Sequence, residues 1–320
     1  MKATPPLDHP ALRLLTAAGG LAVMLACGAN APQVVRLTDF ERGTLFGLER
    51  VTHDDNATED SAQVCGDQLA YDTNKDGNYE IYLKPVLGRE ITRKTTSAAT
   101  DWSPSATADC SRIAFVSNRE GSNIIYVIAG REASAALRVG PGDAPNMAPD
   151  GSVLFYQRFL PGEGTDSIWR FDFTTNQHTQ LVAGFHPAVS PDGGSLAYCK
   201  MNEATGYSAI WILDLKSQQE QQVATKESAG LVLPIWSADS KRLLMTVNRG
   251  RVGSRQATPE LPGFAGADLA VVGRDGTGYA VLTDNPANDI GRAWDKDGFV
   301  YFTSHREKSQ DIWRFNPKLL

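Results

Sequence analysis

Six short apolar segments recur along the chain and constrain its fold more than any other feature. Each contains three consecutive apolar residues: Leu69-Ala70-Tyr71, Ile113-Ala114-Phe115, Val153-Leu154-Phe155, Leu196-Ala197-Tyr198, Leu243-Leu244-Met245 and Val300-Tyr301-Phe302. Their first residues are 40 to 57 positions apart. This interval suits repeats of four short strands and is too long for a leucine-rich repeat. The spacing therefore predicts an all-β chain built from six repeats.

A second apolar element follows each triplet. It is a pair of residues that mostly ends in a large aromatic: Ile81-Tyr82, Ile125-Tyr126, Ile168-Trp169, Ile210-Trp211, Leu269-Ala270 and Ile312-Trp313. In the first, second and sixth repeats the last residue of the pair lies 13 positions after the start of the triplet. Equal spacing predicts the same hairpin in each of these repeats.

Turn sequences precede the triplets and complete the repeat. They read DWSPS (101–105), PNMAPDG (145–151), PAVSPDGG (187–194), PIWSADS (234–240) and AWDKDG (293–298). Asp-Gly and Pro-Asp-Gly sequences favour tight reversals of the chain. Together, the turn, triplet and pair resemble the TolB-like β-propeller repeat over residues 48–318. The resemblance implies a six-bladed β-propeller of four-stranded blades.

The ends of the repeat region predict how the ring closes. The last repeat has little chain after Phe315 for an outer strand, whereas LERVT (48–52) and QVVRLT (33–38) both read as strands. One of these N-terminal segments is expected to complete the sixth blade, which would remove exposed strand edges. We therefore assign 27–47 to a tether that includes a candidate closing strand, and 48–320 to the propeller. TolB itself carries a further α/β domain before its propeller, so roles of that domain do not transfer to this chain.

Residues 1–26 have the pattern of a bacterial lipoprotein signal peptide. Lys2 and Arg13 precede an apolar run of twelve residues that ends before Cys27, which is too short to span a bilayer. The sequence MLAC resembles a lipobox, which implies that Cys27 is lipidated. Plain secretion and an uncleaved anchor remain open alternatives. Gly28 follows the cysteine, and by resemblance to known sorting signals this favours the outer membrane, facing the periplasm or the cell surface.

Charge and cysteine content limit the partners and the compartment. The full chain has a formal net charge of −6 and a pI near 5.4, which argues against nucleic-acid binding. If Cys27 carries lipid, an odd number of cysteines remains: Cys65, Cys110 and Cys199. A disulfide between Cys65 and Cys110 is one interpretation, but three small buried residues are the interpretation favoured by the sequence.

The segment DTNKDGNYEIY (72–82) raises the question of a calcium site. Asp72, Asn74 and Asp76 alternate before Gly77, as in a calcium-binding loop, but the twelfth position is Leu83 instead of a bidentate glutamate. The equivalent segments 116–126 and 303–313 lack these oxygens and are expected to make the same turn. The hairpin interpretation is therefore favoured, since Asp, Asn and Gly all suit tight turns.

Known catalytic motifs are absent from the sequence. It has no Gly-x-Ser-x-Gly elbow, phosphate-binding glycine loop, His-Glu-x-x-His helix or Cys-x-x-Cys pair. The histidines after the signal peptide, His53, His178, His186 and His305, occupy different places in the repeat, so they are expected to be ordinary surface residues. No inner-strand position shows a convergence of His, Asp, Glu or Arg. We therefore assign no catalytic residue, metal ligand or cofactor.

Two groups of residues are candidates for binding. Trp102, Trp236 and Trp294 are predicted to share one position just before the inner strand. There they would stack on a sugar ring or a peptide proline at the channel mouth, or pack between blades, which is the favoured interpretation. Arg249, Arg251 and Arg255 lie in an insertion of the fifth repeat and would contact an acidic partner or remain solvated.

The sequence thus predicts a monomeric, lipid-anchored and non-enzymatic binding module of the bacterial envelope. Its partner would be an envelope protein, a peptide or a glycan. The rival hypothesis is a polysaccharide lyase or hydrolase that acts in the channel of the propeller, and a purely structural envelope protein is a third. Because a fold does not determine function, these hypotheses rest on the scaffold by analogy.

Overall fold

A computed structural model describes residues 45–129, 135–160, 164–249 and 266–317. In these ranges the regular structure is entirely β, in six antiparallel sheets of four strands each. The sheets are the blades of a six-bladed β-propeller, so the predicted fold class is confirmed. The described ranges include no helix with the length and hydropathy needed to span a membrane.

Each blade is a meander in which the first strand is innermost. Blade one contains β2 (Glu59–Cys65), β3 (Gln68–Thr73), β4 (Glu80–Pro85) and β5 (Thr92–Arg93). Blade two contains β6 (Asp101–Ala106), β7 (Arg112–Ser117), β8 (Ile124–Ala129) and β9 (Leu137–Pro141). Blade three contains β10 (Asp143–Met147), β11 (Val153–Phe159), β12 (Asp166–Asp172) and β13 (Gln177–Ala183).

The remaining blades follow the same order. Blade four contains β14 (Phe185–Val189), β15 (Ser195–Asn202), β16 (Tyr207–Asp214) and β17 (Glu220–Ala224). Blade five contains β18 (Gly230–Trp236), β19 (Arg242–Asn248), β20 (Ala267–Gly273) and β21 (Ala280–Val281). Blade six contains β22 (Asp289–Trp294), β23 (Val300–Ser304), β24 (Asp311–Pro317) and, as its outer strand, β1 (Leu45–Arg50).

The N-terminal strand β1 closes the ring. It pairs antiparallel with β24, where Leu45 lies opposite Pro317 and Arg50 lies opposite Trp313. The predicted closure by an N-terminal strand is thus confirmed, and the strand begins inside the segment assigned to the tether. The predicted signal peptide, Cys27 and the alternative strand 33–38 lie outside the described residues.

The predicted repeat elements form the second and third strands of every blade. All six triplets lie in second strands and all six pairs lie in third strands. In the opening hairpin, Tyr71 lies opposite Tyr82, and Gly77 provides the turn with a φ of 107°. A residue with a side chain would be strained at that φ, which explains the glycine. The hairpin interpretation of 72–82 is confirmed.

Apolar packing between neighbouring blades forms the core. Within the described ranges there are six separate clusters, one at each blade interface, because alternate side chains of a strand point to opposite faces of its sheet. Phe155 and Tyr198 join blades three and four, and Tyr301 and Tyr71 join blades six and one. The first strands also contact one another around the ring, including β22 with β2.

The cysteines depart from the favoured sequence interpretation. Cys65 at the end of β2 and Cys110 in the turn before β7 form a disulfide that links blade one to blade two. The expectation of three unpaired cysteines is therefore wrong for this pair. Both residues are buried where two blades meet, and the sequence alone could not show that contact. Cys199 is a buried free thiol.

Candidate functional site

The first strands of the blades share a bulge that faces the centre of the ring. In blades one to five, two residues interrupt the pairing with the second strand: Ser61-Ala62, Ser103-Pro104, Ala144-Pro145, His186-Pro187 and Leu233-Pro234. The first residue of each pair has a positive φ between 39° and 53°. Blade six has one bulge residue, Arg292. Bulges of this kind redirect side chains, here toward the axis of the propeller.

Neighbouring blades provide acceptors for the backbone N–H groups at these bulges. The Ser103 N–H donates to Asp72 Oδ2 at 2.7 Å, and the His186 N–H donates to Gln157 Oε1 at 3.2 Å. A bulge removes N–H groups from the strand ladder, so these acceptors prevent a costly unpaired donor. Hydrogen bonds between neighbouring blades therefore stabilise the bulges.

A cavity of about 360 Å³ occupies the channel between the first strands of all six blades. Small side chains and prolines leave this space open, among them Ala62, Ala144 and Pro234. We call the end of the propeller that carries the turns between first and second strands the turn rim; these turns span 66–67, 107–111, 148–152, 190–194, 237–241 and 295–299. Pro149 and Pro191 of these turns line the cavity, so the cavity reaches the turn rim.

One sector of the cavity wall carries an ion pair. Arg292 contacts Asp60 of blade one, and its Nε donates to Thr303 Oγ1 at 2.8 Å. The Thr303 hydroxyl in turn donates to Asp60 at 2.9 Å. Both charged side chains are largely buried, at 9% and 5% exposure. The Arg292 charge is thus balanced inside the wall, and its guanidinium is held in one orientation.

His186 lies on another sector of the same wall. Desolvation lowers the pKa of His186 to about 4, and the nearby Arg292 charge acts in the same direction. Its imidazole is uncharged at neutral pH, and its buried Nδ1 has no hydrogen-bond partner among the described residues. His186 therefore offers a neutral polar group to an occupant of the channel.

Asp72, beneath the bulges of blades one and two, is a buried carboxyl group beside this site. Burial raises the pKa of Asp72, and the Asp60 carboxylate adds to the increase. Its Oδ2 accepts the Ser103 N–H, whereas no hydrogen bond reaches its Oδ1 in the described part of the chain. Asp72 belongs to a strand, so its role differs from that of a calcium-loop ligand.

Two sequence expectations about the channel are wrong. His186 lines the cavity and is not an ordinary surface residue, whereas His53, His178 and His305 are exposed. Arg292 and His186 also occupy the same bulge in different blades, although the sequence showed no such convergence. A repeated residue-Pro pair before the turns, from Ser103-Pro104 to Leu233-Pro234, is the signal that marks this position. This signal does not identify Arg292, because the bulge of blade six is shorter and lacks proline.

The three candidate tryptophans do not occupy one position. Trp236 and Trp294 end their first strands near the turn rim, whereas Trp102 is the second residue of β6. All three are buried at 9% exposure or less. Trp236 Nε1 donates to the Ala188 carbonyl of the neighbouring blade at 2.9 Å. The shared position was therefore a wrong prediction, and a role in ligand stacking stays a prediction.

The candidate arginine cluster is only partly described. Arg249 pairs with Asp268 at 2.5 Å and approaches Asp284 at 3.4 Å. These carboxylates offset its positive charge. Arg251 and Arg255 lie outside the described residues, so the predicted cluster remains a prediction.

Asn74 and Asp76, two of the oxygen-bearing side chains of 72–82, have separate protein partners. Asn74 Oδ1 accepts the Thr58 N–H at 2.8 Å, and Asp76 pairs with Arg93 at 3.3 Å. Across the described ranges, no group of three His, Cys, Asp or Glu residues is arranged to hold a metal ion.

Comparison with solved structures places this geometry among six-bladed β-propellers. The putative TolB from Agrobacterium tumefaciens matches with a TM-score of 0.57 and 14% identity, over 80% of this chain and 89% of that one. TolB from Acinetobacter baumannii matches with a TM-score of 0.54 and 15% identity, over 75% of this chain and 60% of that one. An oligogalacturonate lyase in complex with manganese matches with a TM-score of 0.54 and 12% identity, over 88% of this chain and 95% of that one.

The fold and its central cavity thus define the protein as a six-bladed β-propeller. More narrowly, it has the TolB-like propeller fold that its repeats predict. No protein-family model and no curated protein sequence matches the chain.

Proposed function

We propose that the protein is a non-enzymatic binding module of the bacterial envelope, and that its channel receives part of a partner at the turn rim. The observation that carries this proposal is the cavity of about 360 Å³, which lies within the range of ligand pockets and is lined by every blade. The partner is an envelope protein, one of its peptide segments or an envelope polymer.

The pKa of His186 and the pairing of Arg292 favour binding over proton transfer by these two groups. A general acid or base works best with a pKa near the operating pH, whereas the pKa of His186 is about 4. Arg292 is held by Asp60 and Thr303, so its charge is already balanced. These groups suit hydrogen bonding to a ligand more than chemical turnover.

Cross-linking in the native envelope tests this proposal. A tagged full-length protein is compared with Ala144→Tyr, which places a large side chain in the cavity, and with Ala183→Tyr, which changes an exposed residue of β13. We expect a defined cross-linked partner that Ala144→Tyr loses and Ala183→Tyr retains. A partner retained by both variants, or no specific partner, would contradict a binding role for the channel. A third variant that lacks residues 250–264 tests the arginine-rich insertion separately.

A polysaccharide lyase or hydrolase is the second candidate. The presence of His186 and Arg292 on one cavity wall favours it, together with the fold shared with an oligogalacturonate lyase. Incubation of the purified protein with oligogalacturonate and with envelope glycans tests this alternative. Cleavage that Arg292→Met abolishes would replace the binding proposal with an enzymatic one.

The proposed location depends on Cys27. Lipidation of this residue would attach the propeller to a membrane, and Gly28 favours the outer one. We expect labelled palmitate to be incorporated into the full-length protein and not into Cys27→Ser. Equal labelling of both forms would contradict the anchor.

A further inference from the structure

A second cavity lies between blades three and four at the turn rim. It has a volume of about 620 Å³, which is within the usual range for ligand pockets. Its lining runs outward from Val189 on a first strand, past Phe155 and Arg170, to Thr179 on the outer strand β13. We call this space the radial groove, because it extends from the channel side to the perimeter of the ring.

The radial groove lies next to the channel cavity. Pro149, Val189 and Pro191 line both spaces, so the inner end of the groove and the channel mouth meet at the same three residues of the turn rim. A ligand that occupies the channel mouth would therefore need to pass only these residues to extend outward between the two blades. The shape fits an elongated occupant better than a compact one.

The lining of the groove indicates the chemistry of this occupant. Phe155 is buried beneath the groove, and Leu181 and Leu215 are half-buried beside it, so an aliphatic group would cover apolar surface there. Polar groups stand at the edges: Arg170 on blade three is half-buried and pairs with Asp172, and Asp192 on blade four is exposed and approaches Arg274. They are able to bond backbone N–H and C=O groups. An apolar floor with polar edges is the usual composition of a site that recognises side chains and fixes their orientation.

We propose that the radial groove binds an extended peptide segment of the partner, with an aliphatic side chain against Phe155, Leu181 and Leu215. This inference rests on the proposed binding function and names the class of partner. The same peptide continues into the channel mouth. An envelope glycan is the alternative occupant of the groove, and the test must distinguish it from the peptide.

The repeat provides a matched pair of variants for the test. On β13 of blade three, Thr179 lies opposite Arg170 of β12. At the equivalent place on β17 of blade four, Gln221 lies opposite Ile212 of β16. Both are exposed, but only Thr179 lines the groove. Thr179→Trp should therefore fill the groove, whereas Gln221→Trp adds the same side chain at a place outside it. Thermal unfolding of both variants checks that the fold is retained.

The probe is a random 12-residue peptide library, displayed on phage and selected on the full-length protein. Selected peptides are synthesised, and their binding is measured by fluorescence anisotropy against four proteins: the wild type, Thr179→Trp, Gln221→Trp and Ala144→Tyr. We expect the peptides to share an aliphatic position. Thr179→Trp should weaken their binding at least tenfold, and Gln221→Trp should leave it unchanged.

Each other outcome would contradict the channel proposal, the groove proposal or the assignment of a peptide as the occupant. If Ala144→Tyr abolishes binding and Thr179→Trp does not, the channel function stands and the groove proposal fails. If Thr179→Trp alone weakens binding, the groove is supported and the channel proposal fails. Recovery of no binding peptide, while an envelope oligosaccharide binds the wild type, would overturn the peptide assignment.

Discussion

Cys65 at the end of β2 is covalently linked to Cys110 in the turn rim of blade two. The bond spans 45 residues of sequence and joins the first strand of one blade to the hairpin of the next. It therefore resists separation of blades one and two, in addition to the apolar cluster that they share.

Removal of this disulfide should destabilise the propeller. Replacement of Cys65 and Cys110 by alanine in one variant is expected to lower the free energy of unfolding by about 2–4 kcal/mol, because the unfolded chain regains the freedom that the bond removes. Urea unfolding monitored by tryptophan fluorescence measures the change. A reductant should lower the stability of the wild type toward that of the variant and leave the variant unaffected. Equal stability with and without the bond would show that packing alone holds the two blades.

The blades were predictable from the sequence because local patterns specify them. The triplets, the pairs and the Asp-Gly turns each need only a few neighbouring residues, so their periodicity identified the second and third strands of every blade. The channel was less predictable, since it depends on first strands that meet only after the ring closes. Arg292 and Asp60 are an example: they are separated by most of the propeller sequence and form an ion pair where blade six meets blade one.

The tryptophans show how a bulge separates positions within a first strand. Trp102 precedes its apolar triplet by 11 positions and Trp236 precedes its triplet by 7, and the two lie near opposite ends of their strands. Trp102 comes before its two unpaired residues, whereas Trp236 comes after the corresponding pair. A common label of tryptophan before the triplet therefore joined two different positions, which the count of residues to the triplet distinguishes.

Trp236 should contribute to stability through packing between blades four and five. It is buried at 5% exposure and belongs to the apolar cluster at that interface. Trp236→Ala is expected to lower the free energy of unfolding by about 3–5 kcal/mol, because the substitution leaves a cavity and removes the hydrogen bond to the Ala188 carbonyl. Tyr279→Ala, at a 39% exposed tyrosine, should change it by no more than about 0.5 kcal/mol. If Trp236→Ala retained wild-type stability but lost ligand binding, the tryptophan would be a ligand contact.

The ion pair between Arg306 and Asp289 should also be structural. It joins the hairpin between the second and third strands of blade six to the start of the first strand, at a distance of 2.6 Å and with exposures of 4% and 0%. Arg306→Met leaves the Asp289 carboxylate buried without its counter-charge, and we expect a loss of about 3–5 kcal/mol in the free energy of unfolding.

The exposed pair of Lys296 and Asp297 provides the matched comparison. Its members are 74% and 64% exposed, so Lys296→Ala should cost about 1 kcal/mol or less. Chemical denaturation of the two variants measures both effects. Similar losses in both would show that burial does not determine the contribution of these pairs.

His186 should make the stability of the propeller depend on pH. Its pKa is lowered from 6.5 to about 4 in the folded protein, so the unfolded chain takes up a proton first as the pH falls. The stabilising contribution of neutral His186 is therefore complete above pH 6.5 and is lost as the pH decreases toward 4. The loss should reach roughly 3 kcal/mol at most, from the size of the pKa shift.

His186→Asn isolates this contribution, because asparagine does not titrate and tolerates the positive φ of this position. The carboxyl groups elsewhere titrate in both proteins, so the difference between their stability profiles reports on the histidine. Urea unfolding at intervals from pH 7.5 to 4 should show a shallower decline for His186→Asn than for the wild type. Parallel profiles would mean that the imidazole takes up its proton equally well in the folded channel and in the unfolded chain, and that the cavity wall does not exclude its charge.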